Sequence, residues 1–227
     1  MAAVLATAWT APVKGDYIRL SGGTAGVIPG GATNNFISSG LFAGPAIGGY
    51  FGAQIQVQVS GGASPDGLLV EFFGAEAGFH NEFNLGSGER FDHPGGMIIA
   101  SGLAAPLATY TTSSVGAGLL PFGFDVHSDA ASIANGANPD DAAGLATGPN
   151  FFASCNPFAS TPGSGGRYCD SVYLFLDDGG AGPDDDHDDF LVRITITGAV
   201  GVPEPGTLAL LAFALLGAGI VIRRNRN

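Results

Sequence analysis

Basic residues are scarce. The 227-residue chain holds 8 Lys and Arg against 20 Asp and Glu, a formal charge of −12, and its single lysine is Lys14. Phosphate contacts need Lys and Arg, so no nucleic-acid partner is expected. Cysteine is nearly absent: Cys155 and Cys169 stand alone, their spacing does not suit zinc, and no neighbouring histidine supplies a base for a reactive thiol. No H-E-x-x-H, G-x-S-x-G or P-loop signature occurs. The four histidines (His80, His93, His127 and His187) form no close metal pair in sequence, and each reads as a surface or loop residue. No stretch before Thr207 has a 3.6-residue apolar period, so the body is not helical. A glycosidase-type carboxylate pair could still assemble in space, but spacing cannot reveal one. The expectation is a protein without catalytic activity.

What is present is glycine, phenylalanine and alternation. Gly 38 and Pro 14 make about 23% of the chain, just under the roughly 25–30% at which disorder sets in. Hydrophobic residues are 45%, with 16 Phe, enough for a real core. The length suits one large or two small domains. Ile55, Val57 and Val59 alternate with glutamines. Phe122, Phe124 and Val126 follow the same rule, as do Val172, Leu174 and Leu176. Phe190, Val192, Ile194 and Ile196 face one way, with Arg193, Thr195 and Thr197 on the other. Residues 68–73, 97–100 and 107–112 are further candidate strands. Gly-, Pro-, Asn- and Ser-rich segments separate them. Short strands with glycine-rich turns predict an all-β ectodomain over residues 12–201, a β-sandwich of jelly-roll type. Residues 130–150 lack a pattern and read as a surface loop. Tyr50, Phe51, Phe79, Phe83, Phe151 and Phe152 read as core, with a sugar-stacking face as the alternative.

The chain ends carry different signals. Residues 2–11 are small and apolar, with Ala6-Thr7-Ala8 as a candidate cleavage site but no positive n-region. Residues 1–11 therefore read as a truncated signal peptide or as an ordinary strand start. At the other end, Val202-Pro203-Glu204-Pro205-Gly206 precedes an uncharged apolar run, residues 207–222, and then Arg223, Arg224 and Arg226. Sixteen helical residues span roughly 24 Å, short of the usual ~30 Å hydrocarbon core, but snorkelling arginines and local thinning cover the difference. A buried soluble helix is the alternative, though arginines at the extreme end leave it no core to enter. One C-terminal transmembrane helix is expected, with the arginines cytoplasmic and the body outside. Residues 1–202 hold five basic and nineteen acidic residues, so their charge is −14.

Pro-Glu-Pro, a short apolar helix and a terminal Arg cluster, in that order, resemble the PEP-CTERM sorting signal of Gram-negative bacteria. The resemblance covers residues 202–226. It implies handling by exosortase, a membrane protease or transpeptidase that recognises the Pro-Glu-Pro region (Val202, Pro203, Glu204 and Pro205) and removes the helix. It also implies an inner-membrane precursor, a mature form at the surface or in the matrix, and association with exopolysaccharide and biofilm. Two prolines deny helix to the segment and leave it extended outside the bilayer. In that exported setting an even cysteine count reads as a Cys155–Cys169 disulfide.

Residues 177–189 contain seven Asp and no Lys or Arg. Such crowding costs energy unless protons or a cation intervene, and Ca²⁺ accepts six to eight oxygen ligands. Asp184, Asp186 and Asp188 recur at i, i+2, i+4, which points them to one side if the segment is extended. The start of an EF-hand loop is similar, but Asp189 stands where its glycine belongs and Thr195 where its glutamate does. A calcium-binding nonapeptide repeat is excluded by Asp186 at the aliphatic position and by the lack of a tandem copy. The knot also resembles the acidic loop before a final strand in bacterial surface domains, PEP-CTERM proteins among them. Asp177-Asp178-Gly179-Gly180, Asp184-Asp185, Asp188-Asp189 and the strand Val192-Arg193-Ile194 carry that likeness. In the same group a segment like residues 74–83 occurs, whose Glu76 and Asn81 would add oxygen ligands. The candidate Ca²⁺ ligands are thus Asp177, Asp178, Asp184, Asp186, Asp188, Asp189, Glu76 and Asn81. A solvated, solubilising turn is the alternative.

Overall fold

Alternating apolar residues become strands almost everywhere the pattern places them. The computed structural model describes residues 16–29, 33–59, 67–127, 131–145, 147–163, 166–179 and 186–197. These fall in one unit of the chain, Asp16–Ala199; the other unit, Met1–Gly15 with Val200–Asn227, lies outside the described residues. In chain order the elements are β1 (Tyr17–Ser21), β2 (Thr24–Ile28), α1 (Asn35–Ser38), β3 (Ile47–Phe51), β4 (Gln54–Gln58), β5 (Gly67–Ala77), β6 (Asn81–Leu85), β7 (Gly88–His93) and β8 (Gly96–Ile99). Then come β9 (Ala108–Thr111), β10 (Gly118–Leu119), β11 (Phe122–Val126), β12 (Ala131–Ala134), β13 (Asn150–Ser154), β14 (Tyr168–Cys169), β15 (Ser171–Asp177) and β16 (Phe190–Thr197).

These strands form three antiparallel sheets. The largest runs β2-β3-β13-β15-β16-β5-β8, with β9 also on β5; the others run β10-β4-β1-β14 and β12-β11-β6-β7. One face of the large sheet packs Val70, Phe72, Phe151, Leu174, Phe190 and Val192 against Ile18, Ile55 and Val57 of one small sheet and Phe83, Phe124 and Ile133 of the other. This is sheet-on-sheet packing with alternate residues of each strand inward. The opposite face is covered as well: Phe152, Tyr173, Phe175 and Leu191 pack with Phe36 of α1 and with Leu41 and Phe42. Burial on both faces explains why the centres of β13 and β15 are continuous apolar runs instead of alternating ones.

Two expectations change, and one choice between readings closes. A jelly roll has eight strands in two sheets, whereas the described residues hold sixteen strands in three. Within residues 130–150, four residues form β12, paired along β11. The candidate sugar-stacking ring set is core: Phe83, Phe151 and Phe152 are fully buried, and Tyr50 and Phe51 nearly so, while Phe79 is partly buried against the same cluster. A transmembrane helix over residues 207–222 lies outside the described residues, among which no helix is long and apolar enough to cross a membrane.

A bulge in β5 sets the orientation of the residues after it. Leu191 pairs with Gly74 and Val192 with Phe72, so Phe73 is the extra residue. Leu68, Val70 and Phe72 enter the main core, Phe73 the second one, and Ala75 the main core again. The inward parity thus shifts by one residue, and Glu76 is left out of the apolar interior. Gly74 has φ 153 and a Cβ there would collide with the Ile98 carbonyl oxygen, so only glycine fits.

Cys155 and Cys169 are bonded, with Cα atoms 5.6 Å apart. Cys155 follows β13 of the large sheet and Cys169 lies in β14, opposite Ile18 of a small sheet. The bond therefore ties two layers together. Replacing both cysteines by serine should lower the unfolding free energy by roughly 3 kcal/mol for a loop of this size, read as a reduced denaturation midpoint. A midpoint indifferent to reductant would contradict a native disulfide.

Candidate functional site

The acidic residues gather where the β15–β16 hairpin meets the small sheet β12-β11-β6-β7. Asp177 is the last residue of β15 and Asp189 immediately precedes β16, and the Asp189 N–H donates to the Leu176 carbonyl at 3.1 Å. Asp189 Oδ2 accepts from the Asp178 N–H at 2.8 Å. Asp177 Oδ1 accepts from the Gly179 N–H at 3.0 Å. From the other layer, Asn81 Nδ2 donates to Asp178 Oδ2 at 2.6 Å. Asp177, Asp178, Asp189 and Asn81 are all buried. The Asn81 side-chain oxygen is buried and has no hydrogen-bond partner among the described residues. Along β13, Asn150 pairs with Asp177 of β15 and Ser154 with Tyr173. This contact and the disulfide therefore join the layers at opposite ends of β13.

The second half of the knot has a different task. The extended run that would send Asp184, Asp186 and Asp188 to one side is broken at His187, which has φ 60; Asp184 lies outside the described residues. Asp188 accepts from the Asn35 N–H at the start of α1. The N-cap Asn34 donates through Nδ2 to the carbonyls of Asp186 at 2.8 Å and His187 at 3.3 Å, while its Oδ1 accepts from the Ile37 N–H at 3.1 Å. Asp186 Oδ1 accepts from the Asp188 N–H at 3.3 Å. Asp186, His187 and Asp188 thus clamp α1 and the segment that covers the second core. Glu76 joins through its backbone N–H, which donates to the Asp188 carbonyl at 3.1 Å; its carboxylate has no hydrogen bond among the described residues.

His187 is not the surface residue its sequence context suggests. It is 1% exposed, its Nε2–H donates to Asn150 Oδ1 at 2.8 Å, and its ring lies 5.4 Å from that of Phe51. Burial among aromatic rings pushes its pKa down to about 3, so it is neutral. Asp189 moves the other way. Desolvation, then the neighbouring Asp178 carboxylate, and more weakly Asp177 and Asp188, push its pKa up to about 10 against the pull of the Asp178 N–H. Without a cation this carboxyl is protonated at neutral pH.

Past the last described residue, the PEP-CTERM protein-sorting motif matches residues 201–225. The chain carries a PEP-CTERM sorting signal. It is accordingly an exosortase-targeted, exported surface protein with a membrane-anchored precursor. No curated protein and no solved structure matches the chain. Val202, Pro203, Glu204 and Pro205 of the signal, and Arg223, Arg224 and Arg226 behind it, lie outside the described residues.

The fold also assembles a set that sequence spacing hides. The ligand atoms of His80, Glu82 and His127 lie within 4.8 Å of one another. The acidic knot contains no such set among the described residues. His80-x-Glu82 carries an i, i+2 signal at the start of β6, but His127 arrives only through the pairing of β11 with β6.

Proposed function

We propose that the domain is a non-enzymatic structural module of the cell surface or extracellular matrix of a Gram-negative bacterium, stiffened by Ca²⁺ held between its layers. Asp177, Asp178 and Asp189 supply the carboxylates after side-chain rotation, since their oxygens do not converge to ligand spacing as they stand, and the Asn81 side-chain oxygen completes the set. One observation carries the reading: a fully buried amide oxygen, without a hydrogen-bond partner among the described residues, beside crowded, buried carboxylates. A buried acceptor left unmet costs about 1–3 kcal/mol, and a hard cation with oxygen ligands would satisfy it and the carboxylates together. Asp186 and Asp188 act as clamps for α1 instead of as ligands. The sorting signal supports processing by exosortase, and association with exopolysaccharide and biofilm is part of the proposal. A carbohydrate-binding module loses support, because its candidate aromatic face is core.

Thermal unfolding with Ca²⁺ or with a calcium chelator is the test. Calcium should raise the wild-type midpoint by several degrees. Asp178→Asn with Asp189→Asn should remove that rise while leaving the chelated protein about as stable at neutral pH, because Asp189 is already uncharged there and each amide keeps an acceptor oxygen. Superimposable wild-type curves in calcium and chelator would sink the reading.

A further inference from the structure

We propose that the outward face of the small sheet β12-β11-β6-β7 binds a borderline divalent transition-metal ion of the zinc class through His80, Glu82 and His127. The site is separate from the acidic knot in chemistry and in direction. Along β6, Asn81, Phe83 and Leu85 are buried while Glu82 and Asn84 are only partly so, and His80 shares the outward parity of Glu82. Along β11, Phe122, Phe124 and Val126 are buried, which puts His127 outward. The His127 N–H donates to the His80 carbonyl at 2.9 Å. This adds one rung beyond the Val126–Asn81 pair and places the two imidazoles side by side.

The geometry is close to that of a metal centre. Glu82 Oε2 stands 3.0 Å from His127 Nε2, and the two histidine rings are 4.4 Å apart at 34°. Ligand atoms on a tetrahedral ion with bonds of about 2.0–2.1 Å stand roughly 3.3 Å apart. One pair stands close to that spacing, and the third atom lies within 4.8 Å of both. Asp92 lies opposite Glu82 on β7 and bonds His80 Nε2. A carboxylate on a ligating imidazole is the usual orienting contact at such sites, which makes Asp92 a positioning residue. Two imidazoles and one carboxylate suit zinc, nickel or copper and not calcium. The His80 and His127 side chains are 38% and 45% exposed, so an ion can enter and water can fill the remaining positions.

Cobalt(II) titration of the whole protein in saturating calcium reads the site through visible absorption, and zinc displacement of cobalt reads affinity. One ion should bind per chain. His80→Ala with His127→Ala should weaken binding at least 100-fold. Asp92→Asn should weaken it about 10- to 100-fold while the cobalt spectrum keeps its form, an effect that simple loss of packing would not produce. Acidification should release the ion as protons compete for imidazole. Glu82→Gln on the open face guards against a double variant that fails to fold and should also weaken binding. No cobalt spectrum, or binding that both the histidine and Glu82 variants leave unchanged, would show histidine–carboxylate pairs without a metal role and overturn the proposal.

Discussion

In calcium-free buffer the domain should lose roughly 3–4 kcal/mol of stability between pH 6.5 and 9, and calcium should abolish that loss. The sign follows from two buried groups. Asp189 has its folded-state pKa raised from 3.8 to about 10. The folded protein keeps a proton that the unfolded chain releases, so this contribution is full below about pH 4 and declines as pH rises toward 10. His187 has its folded-state pKa lowered from 6.5 to about 3. Its contribution is full above about pH 6.5 and declines as pH falls toward 3. Between about pH 4 and 6.5 the two slopes oppose each other. Above that window, of these two groups only Asp189 acts, at up to about 1.4 kcal/mol per pH unit. The groups facing Asp189 are the carboxylates of Asp177, Asp178 and Asp188, which reinforce the effect, and the Asp178 N–H, which reduces it. Those facing His187 are the Asn150 amide and the rings of Phe51 and Phe152. A bound cation replaces the proton on Asp189 and removes the dependence. Chemical denaturation at several pH values, with chelator or with calcium, measures both curves. A chelated midpoint that stays level from pH 6.5 to 9 would contradict the assignment.

Glu71→Ala should destabilise the domain by about 3 kcal/mol, at the lower end of the 3–5 kcal/mol typical of a broken buried ion pair. Glu71 lies opposite Arg193 in the β5–β16 pairing. Arg193 Nε donates to Glu71 Oε2 at 2.5 Å, Nη2 to Oε1 at 2.7 Å and Nη1 to the Tyr173 hydroxyl at 3.0 Å. The guanidinium also lies 5.0 Å from the Phe73 ring centre. These bonds, the Glu71 pair first, hold Arg193 even more firmly protonated than usual. Removing Glu71 leaves that charge on a mostly apolar face. The side chain of Arg193 is 21% exposed, so water softens the loss. Glu71→Leu with Arg193→Met should cost far less, because neither partner is then stranded. A double-mutant cycle by urea denaturation separates the cases, and equal losses in the single and double variants would count against a special cost for the stranded charge.

Much of the architecture was legible because it is local. Alternation at residues 122–126 and 190–197 records which side of a strand is buried, and a period of two needs no knowledge of the partner strand. The acidic knot was visible as composition, but its division of labour was not. Asp188 meets Asn35 across 153 positions and Asp178 meets Asn81 across 97. Glu71 and Arg193 are 122 positions apart. The patternless segment before β13 hid β12, because Ala131-Ser132-Ile133-Ala134 has one buried apolar residue and gains strand structure from pairing with β11.

The sorting signal was determined by sequence alone, because a linear segment read in extended form by a processing enzyme needs no fold to be recognised. The same holds for the all-β body and for the disulfide, since two cysteines allow one pairing. Only the tertiary structure decided which carboxylates are buried together, that His187 is a neutral core residue, and that His80 and His127 are neighbours. Those facts depend on strand order and on a one-residue bulge at Phe73, and both are set by the packing of whole layers.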